Sequence, residues 1–204
     1  MSRHASLGLL ATLVMLAGCA TTGSDTPSLR GNNSLPGEDG QLLCADPLDI
    51  TTLSASIGYA DSGAVSTITD LGRYAQALAT GALLADDQTR FDSPRAVYPG
   101  APTWYTYDGG AFTAGGLIGQ HGAIPGYLTA AYADPDTGLT VAVVLNNSAA
   151  PAGLAANLAW ELAAIASKAP AAAGETAPAA GLPWTAEQQA ETIRGAAVCP
   201  LPQP

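Results

Sequence analysis

Gly119-Gln120-His121-Gly122-Ala123-Ile124-Pro125-Gly126-Tyr127, continued from Leu128 to Ser148, is the stretch whose reading decides the fold. Residues 112–120, leading into it, can be extended, and residues 127–133 alternate loosely between apolar and small or polar side chains. Residues 139–145, Leu-Thr-Val-Ala-Val-Val-Leu, are a continuous apolar and β-branched run. Between the last two lies Asp134-Pro135-Asp136-Thr137-Gly138, whose Asp, Pro and Gly are turn formers, so the two runs should fold back as a hairpin. The 139–145 run lacks clean alternation, as expected of a strand covered on both faces.

Outward from this stretch the pattern turns helical on both sides. Pro151 suits the first turn of a helix over 151–168, with Leu154, Leu158, Leu162 and Ile165 on one stripe, Trp160 off it, and Pro170 after its end. Burial of that stripe against the sheet is what should hold the helix in place. Upstream, Ser66-Thr67-Ile68-Thr69-Asp70-Leu71 has the form of a capping box with Thr67 as N-cap. Leu71, Tyr74, Ala75 and Leu78 then recur at helical spacing, and Gly81 suits a left-handed stop, which predicts a helix over 69–80. Residues 86–111, with three prolines and the Gly109-Gly110 pair, should be mostly irregular, with a short strand at 104–107. The fold class implied is α/β of the α+β type: an antiparallel sheet with packed helices.

The ends read differently. Arg3, the apolar run 7–16 and Leu16-Ala17-Gly18-Cys19 have the form of a lipoprotein signal, too short to span a membrane stably. Lipidation at Cys19 would place the protein on the outer face of a bacterial membrane, held by two or more acyl chains. The competing reading is an ordinary secretory signal with an incidental cysteine. Residues 20–45 are poor in apolar side chains and should be a flexible tether; residues 46–168 form the compact unit; residues 169–204 are an Ala/Pro-rich linker and tail with a short helix at 185–194. No internal repeat is present.

Without residues 1–19 the chain has 6 basic against 17 acidic residues, a formal charge of −11, which argues against nucleic acid or anionic headgroups as partners. Cys44 and Cys199 are then an even remainder in an oxidising compartment. A disulfide between them would close a long loop and contribute ~3–5 kcal/mol; the alternative is two free thiols in mobile tails. His121 is the one histidine left beyond the signal, no Cys-x-x-Cys accompanies it, and no metal or other cofactor is implied. Gly-x-Ser-x-Gly is absent too, and Asp61-Ser62 and Ser66-Thr67 read as turn and cap residues.

Taken in order, the Ser-Thr-x-x-Asp-Leu helix start with Ser62-Gly63-Ala64-Val65 before it, the Gly-x-x-Pro-Gly-Tyr strand, the Asp-Pro-Asp-Thr-Gly turn, the strand ending Leu145-Asn146-Asn147-Ser148 and the terminal amphipathic helix resemble the C-terminal third of the β-lactamase and D-alanyl-D-alanine carboxypeptidase-like serine hydrolases, over about residues 46–168. The resemblance implies a partial β-lactamase/transpeptidase-like fold. It also implies a third active-site motif in which Gln120 takes the Lys/His position, His121 the Thr/Ser position and Gly122 the glycine, with Ala123 offering an oxyanion N–H. A glutamine lacks the positive field of lysine or imidazolium.

The family's other two motifs are missing from these 204 residues. Lys168, the only lysine, has Ile165 three positions before it, and no Tyr or Ser stands two before an Asn. Without a nucleophile and its base, acylation has no starting point. The sequence therefore points to an exported lipoprotein with a truncated, non-catalytic domain of this family. The alternatives are a serine hydrolase completed by another chain or by a lost N-terminal half, and a module that binds cell-wall peptides or a protein partner. Too few helices are visible to cover the 139–145 strand twice, since the 151–168 helix can take one face and the 69–80 helix part of the rim. A long apolar face would remain, and the chain should be marginally stable, oligomeric or dependent on a partner that supplies the missing layer.

Overall fold

The computed structural model of the chain describes residues 29–54, 64–82, 89–169 and 181–199. The signal segment with Cys19, the Ser62-Gly63 approach to the first helix and most of the 169–183 linker lie outside the described residues.

Two short strands, β1 (Asn32–Asn33) and β2 (Leu48–Asp49), pair with each other. The main sheet is a six-stranded antiparallel meander in chain order: β3 (Arg95–Ala96), β4 (Tyr105–Asp108), β5 (Ala111–Ala114), β6 (Leu117–Ile124), β7 (Tyr127–Ala133) and β8 (Thr140–Leu145). Helix α1 (Ile68–Ala79) precedes it, and α2 (Gly153–Ala166) and α3 (Ala186–Ala196) follow. Thr67 caps α1 by accepting from the Asp70 N–H at 3.1 Å, and Gly81 stops it at φ 71°.

Residues 112–120, expected as one extended segment, are instead the two arms of a hairpin. Gly115, at φ 57°, turns the chain between β5 and β6. Gly109 and Gly110, at φ 56° and 81°, do the same between β4 and β5, in the primed-turn geometry whose twist matches the strands. The 86–111 region is accordingly less irregular than its proline content suggests. At the expected 127–145 hairpin, Asp134 Oδ1 accepts the N–H groups of Asp136 and Thr137, and Gly138 has φ 76°.

Strand alternation sorts the core into two layers. On one face Leu117, Leu128, Ala130, Tyr132, Val141 and Val143 are buried under α2. On the other, Ile118, Ala131, Ala133 and Ala142 meet Leu71, Ala75 and Ala79 of α1, and Thr140 donates to Gln76 Oε1 at 2.7 Å. The expectation that α1 would reach only the rim and leave a long bare surface is thus corrected: α1 lies on the face opposite α2, and β7 and β8 are covered on both sides.

The expected Leu154–Leu158–Leu162–Ile165 stripe is not the buried face of α2. Ala155, Ala156, Ala159, Trp160, Ala163 and Ala164 are buried, the leucines are half-buried along the flank and Ile165 is exposed. Small side chains let the helix axis approach the sheet closely, and the one large residue on that face, Trp160, fills the remaining space.

The first and last described segments also belong to the body. Residues 29–45, expected as part of a free tether, dock from residue 29 onward against the loop after β8. Asn32 N–H donates to the Asn146 carbonyl at 3.0 Å, Ser148 N–H to that of Asn32 at 3.1 Å, and Asn147 Nδ2 to Ser34 Oγ at 2.8 Å. The packing is close: a Cβ on Gly126 would lie 2.9 Å from Gly31 Cα, a Cβ on Gly31 would lie 2.7 Å from the Tyr127 ring, and Tyr127 Oη donates to the Leu29 carbonyl at 2.6 Å. In the region expected as a tail, Thr185 starts α3 with a reciprocal capping box to Gln188, and the buried Trp184 donates its indole N–H to the Trp160 carbonyl at 3.0 Å. Cys44 and Cys199 are joined by a disulfide with S–S 2.05 Å and Cα–Cα 5.6 Å.

Candidate functional site

The register that builds the sheet also exposes one of its edges. β5 pairs with β6 only from Leu117 to Gly119, whereas β7 pairs with β6 all the way to Ile124. In an antiparallel ladder successive residues turn their N–H and C=O groups alternately to the two neighbours. Residues 117 and 119 face β5, so His121 and Ala123 face the edge beyond its end. The Gln120 side chain partly closes that edge. Its Oε1 accepts the His121 N–H at 3.0 Å and its Nε2 donates to the Gly110 carbonyl at 3.1 Å. The C=O of His121 and the N–H and C=O of Ala123 remain as the unpaired strand groups there among the described residues.

Gln120 and His121 point to opposite faces. Gln120 is exposed, while the His121 ring is half-buried on the α2 face, 4.4 Å from the Phe112 ring, with Nδ1 2.8 Å from Tyr132 Oη. Gly119 makes this contact possible. A Cβ there would lie 2.7 Å from Tyr132 Cδ1, so the missing side chain leaves room for the tyrosine ring. Burial pushes the His121 imidazole below its usual value and the Tyr132 phenol above its own. At neutral pH the pair is therefore an uncharged imidazole beside a protonated phenol. His121 does not supply the positive field that Gln120 lacks.

A hollow of about 500 Å³ opens at this end of the sheet, lined among others by Arg95, Val97, Tyr107, Phe112, Gln120 and His121. Among the described residues its lining includes no serine, threonine, cysteine or lysine, and so no nucleophile and base pair of the serine-hydrolase kind. Gly122 has open space where a Cβ would stand, so its glycine leaves the strand accessible. The structure thus brings Gln120, His121, Gly122 and Ala123 together on β6, and places Cys44 and Cys199 in the disulfide far along the chain from them. Sequence reasoning missed Arg95, in a proline-containing stretch expected to be irregular. It missed Tyr107 and Phe112 as wall residues because the β4–β5 hairpin that sets them side by side was not foreseen.

A search of curated proteins and a search of solved structures give no match. A family model described as Beta-lactamase matches residues 17–165, most of the chain. The strand order around Gly119–Tyr127 and the helices on both faces agree with an α+β arrangement of that kind, and the chain belongs to the β-lactamase family.

Proposed function

We propose that the protein is an exported lipoprotein whose β-lactamase-family domain binds extended peptide segments at the β6 edge without acylating them. The observation that carries this reading is the stretch of β6 beyond Gly119, which has no neighbouring strand on its β5 side among the described residues and where Ala123 offers one N–H and one C=O to a strand laid alongside. Such an edge pairs with an extended chain by β-addition, the main chain giving affinity and neighbouring side chains giving selectivity. Peptides of the cell wall, or a segment of a partner protein, are the class of ligand that an outward-facing anchor at Cys19 would meet.

Absence of catalysis is supported by the residue types at hand. Acyl transfer needs an activated nucleophile, a proton acceptor and an oxyanion hole. Only the last has a counterpart here, in the Ala123 N–H, and no Ser-x-x-Lys exists in the sequence. The deciding experiment combines a fluorescent penicillin with intact-mass measurement. The expected outcome is no covalent adduct, together with protection of the Ala123 amide from hydrogen exchange when a cell-wall stem peptide is added. A stoichiometric acyl adduct on any serine would sink the non-catalytic reading, and an Ala123 amide indifferent to peptide would sink the edge-binding one.

A further inference from the structure

One residue row crosses the whole sheet on its α2 face. The register aligns Arg95 with Tyr107, Tyr107 with Phe112, Phe112 with Gly119 and Gly119 with Tyr132. At its inner end the row is sealed by α2. At its outer end the rings stand against one another, Tyr107 to Phe112 at 4.8 Å and Phe112 to His121 at 4.4 Å, and the row ends on a guanidinium.

Arg95 is distinguished by its lack of an engagement. Arg30 pairs with Asp49, Arg73 with Asp70 and Arg194 with Glu191, and Arg90 donates to the Gly109 carbonyl. Among the described residues the Arg95 guanidinium makes no ion pair or hydrogen bond; only its backbone is engaged, in the pairing of β3 with β4. The carboxylate nearest along the adjoining strand, Asp108, is already taken: Oδ2 accepts the Ser93 N–H at 2.6 Å and Oδ1 the Gly109 N–H at 2.8 Å. In a chain with 17 acidic residues an arginine left unpaired beside an open aromatic hollow is a free fork of donors suited to a planar anion.

We propose that this hollow is a binding subsite for an organic carboxylate joined to an aromatic group, with Arg95 holding the carboxylate and Tyr107, Phe112 and His121 receiving the ring. Chemistry selects the class. A phosphate would call for more than one positive charge or a cluster of backbone amides, and the lining offers a single guanidinium. A purely apolar ligand would leave that guanidinium unused, whereas aromatic faces and a fork of N–H donors side by side match a ligand with both features. The assignment uses the hollow alone and does not depend on strand pairing at β6.

The test uses N-acetyl-L-phenylalanine and its carboxamide as probes, titrated into the purified protein by calorimetry while the His121 ring signals are followed by NMR. The expected result is that the acid binds at least about tenfold more tightly than the amide, ~1.4 kcal/mol. The acid should also raise the imidazole titration midpoint, because a bound anion favours the protonated ring. Arg95→Gln should abolish the preference and Arg95→Lys restore part of it. The Arg95 side chain is exposed and has no partner among the described residues, so neither variant should disturb folding. Equal binding of acid and amide, no binding at millimolar probe, or unchanged acid binding by Arg95→Gln would each overturn the proposal. Neither probe has enough backbone to pair with a strand, so failure of peptide binding at β6 leaves this outcome unaffected.

Discussion

Replacing Trp184 by Ala tests whether the C-terminal element is part of the core or a tail laid on its surface. The indole is 7% exposed, its ring centroid is 5.1 Å from that of Trp104 and 5.3 Å from that of Trp160, and its N–H donates to the Trp160 carbonyl at 3.0 Å. Truncating a buried tryptophan costs ~3–5 kcal/mol through lost transfer energy and the cavity left behind. Set against a net stability of ~5–15 kcal/mol, that is a large share. For a domain of this size the melting temperature should fall by roughly 6–20 °C. The assay is urea and thermal unfolding followed by tryptophan emission, which reports directly on the cluster because all three tryptophans of the chain lie in it. Trp184→Phe separates the two contributions: it keeps much of the ring contact but removes the indole hydrogen bond, leaving the Trp160 carbonyl with its helical partner alone, and should cost about 1–2 kcal/mol. A shift of Trp184→Ala below about 0.5 kcal/mol, the range of ordinary surface changes, would refute the packing argument.

Four further outcomes are expected. Reduction of the Cys44–Cys199 bridge, or Cys44→Ser with Cys199→Ser, removes a cross-link spanning 155 residues and should cost up to ~5 kcal/mol, seen as a lower urea midpoint; an unchanged midpoint contradicts it. Gly119→Ala drives a methyl group against the Ala131 carbonyl oxygen and the Tyr132 ring, and should destabilise by ~1–3 kcal/mol or more in the same assay. His121, held below its usual value of 6.5 by burial, binds its proton more weakly folded than unfolded. Stability should therefore be full above that value and decline as pH falls below it, and His121→Gln should remove this part of the slope; an identical pH profile in the variant argues against it. Cys19→Ser should leave the protein unprocessed or release it from the membrane fraction, and unchanged processing and fractionation would count against lipidation.

Much of the fold is written locally. The Asp134–Gly138 turn, the Thr67 and Thr185 caps and the Gly81 stop depend on side chains within a few residues of the backbone groups they satisfy, so they are legible without knowing what packs where. The continuous 139–145 run signals double coverage, because a strand with apolar residues on both faces needs a layer on each. Family membership is legible for the same reason: it rests on the order and spacing of short motifs along the chain.

Long-range proximity decided the rest. Hydrophobicity along α2 favours its leucines, yet the sheet takes the alanine face, because closeness of approach depends on the partner surface and not on the helix alone. The segments around Asn32 and Trp184 look like tether and tail by composition. What fixes them is hydrogen bonds to Asn146–Ser148 and ring contacts to Trp104 and Trp160, formed across more than a hundred residues in the first case and tens in the second. The candidate site divides along the same line. Gln120, His121, Gly122 and Ala123 could be read from their neighbours in sequence, whereas Arg95, Tyr107 and Phe112 join them only when two glycine turns stack β4 to β6 and β3 pairs with β4, since a register, unlike a motif, exists between strands and not within one.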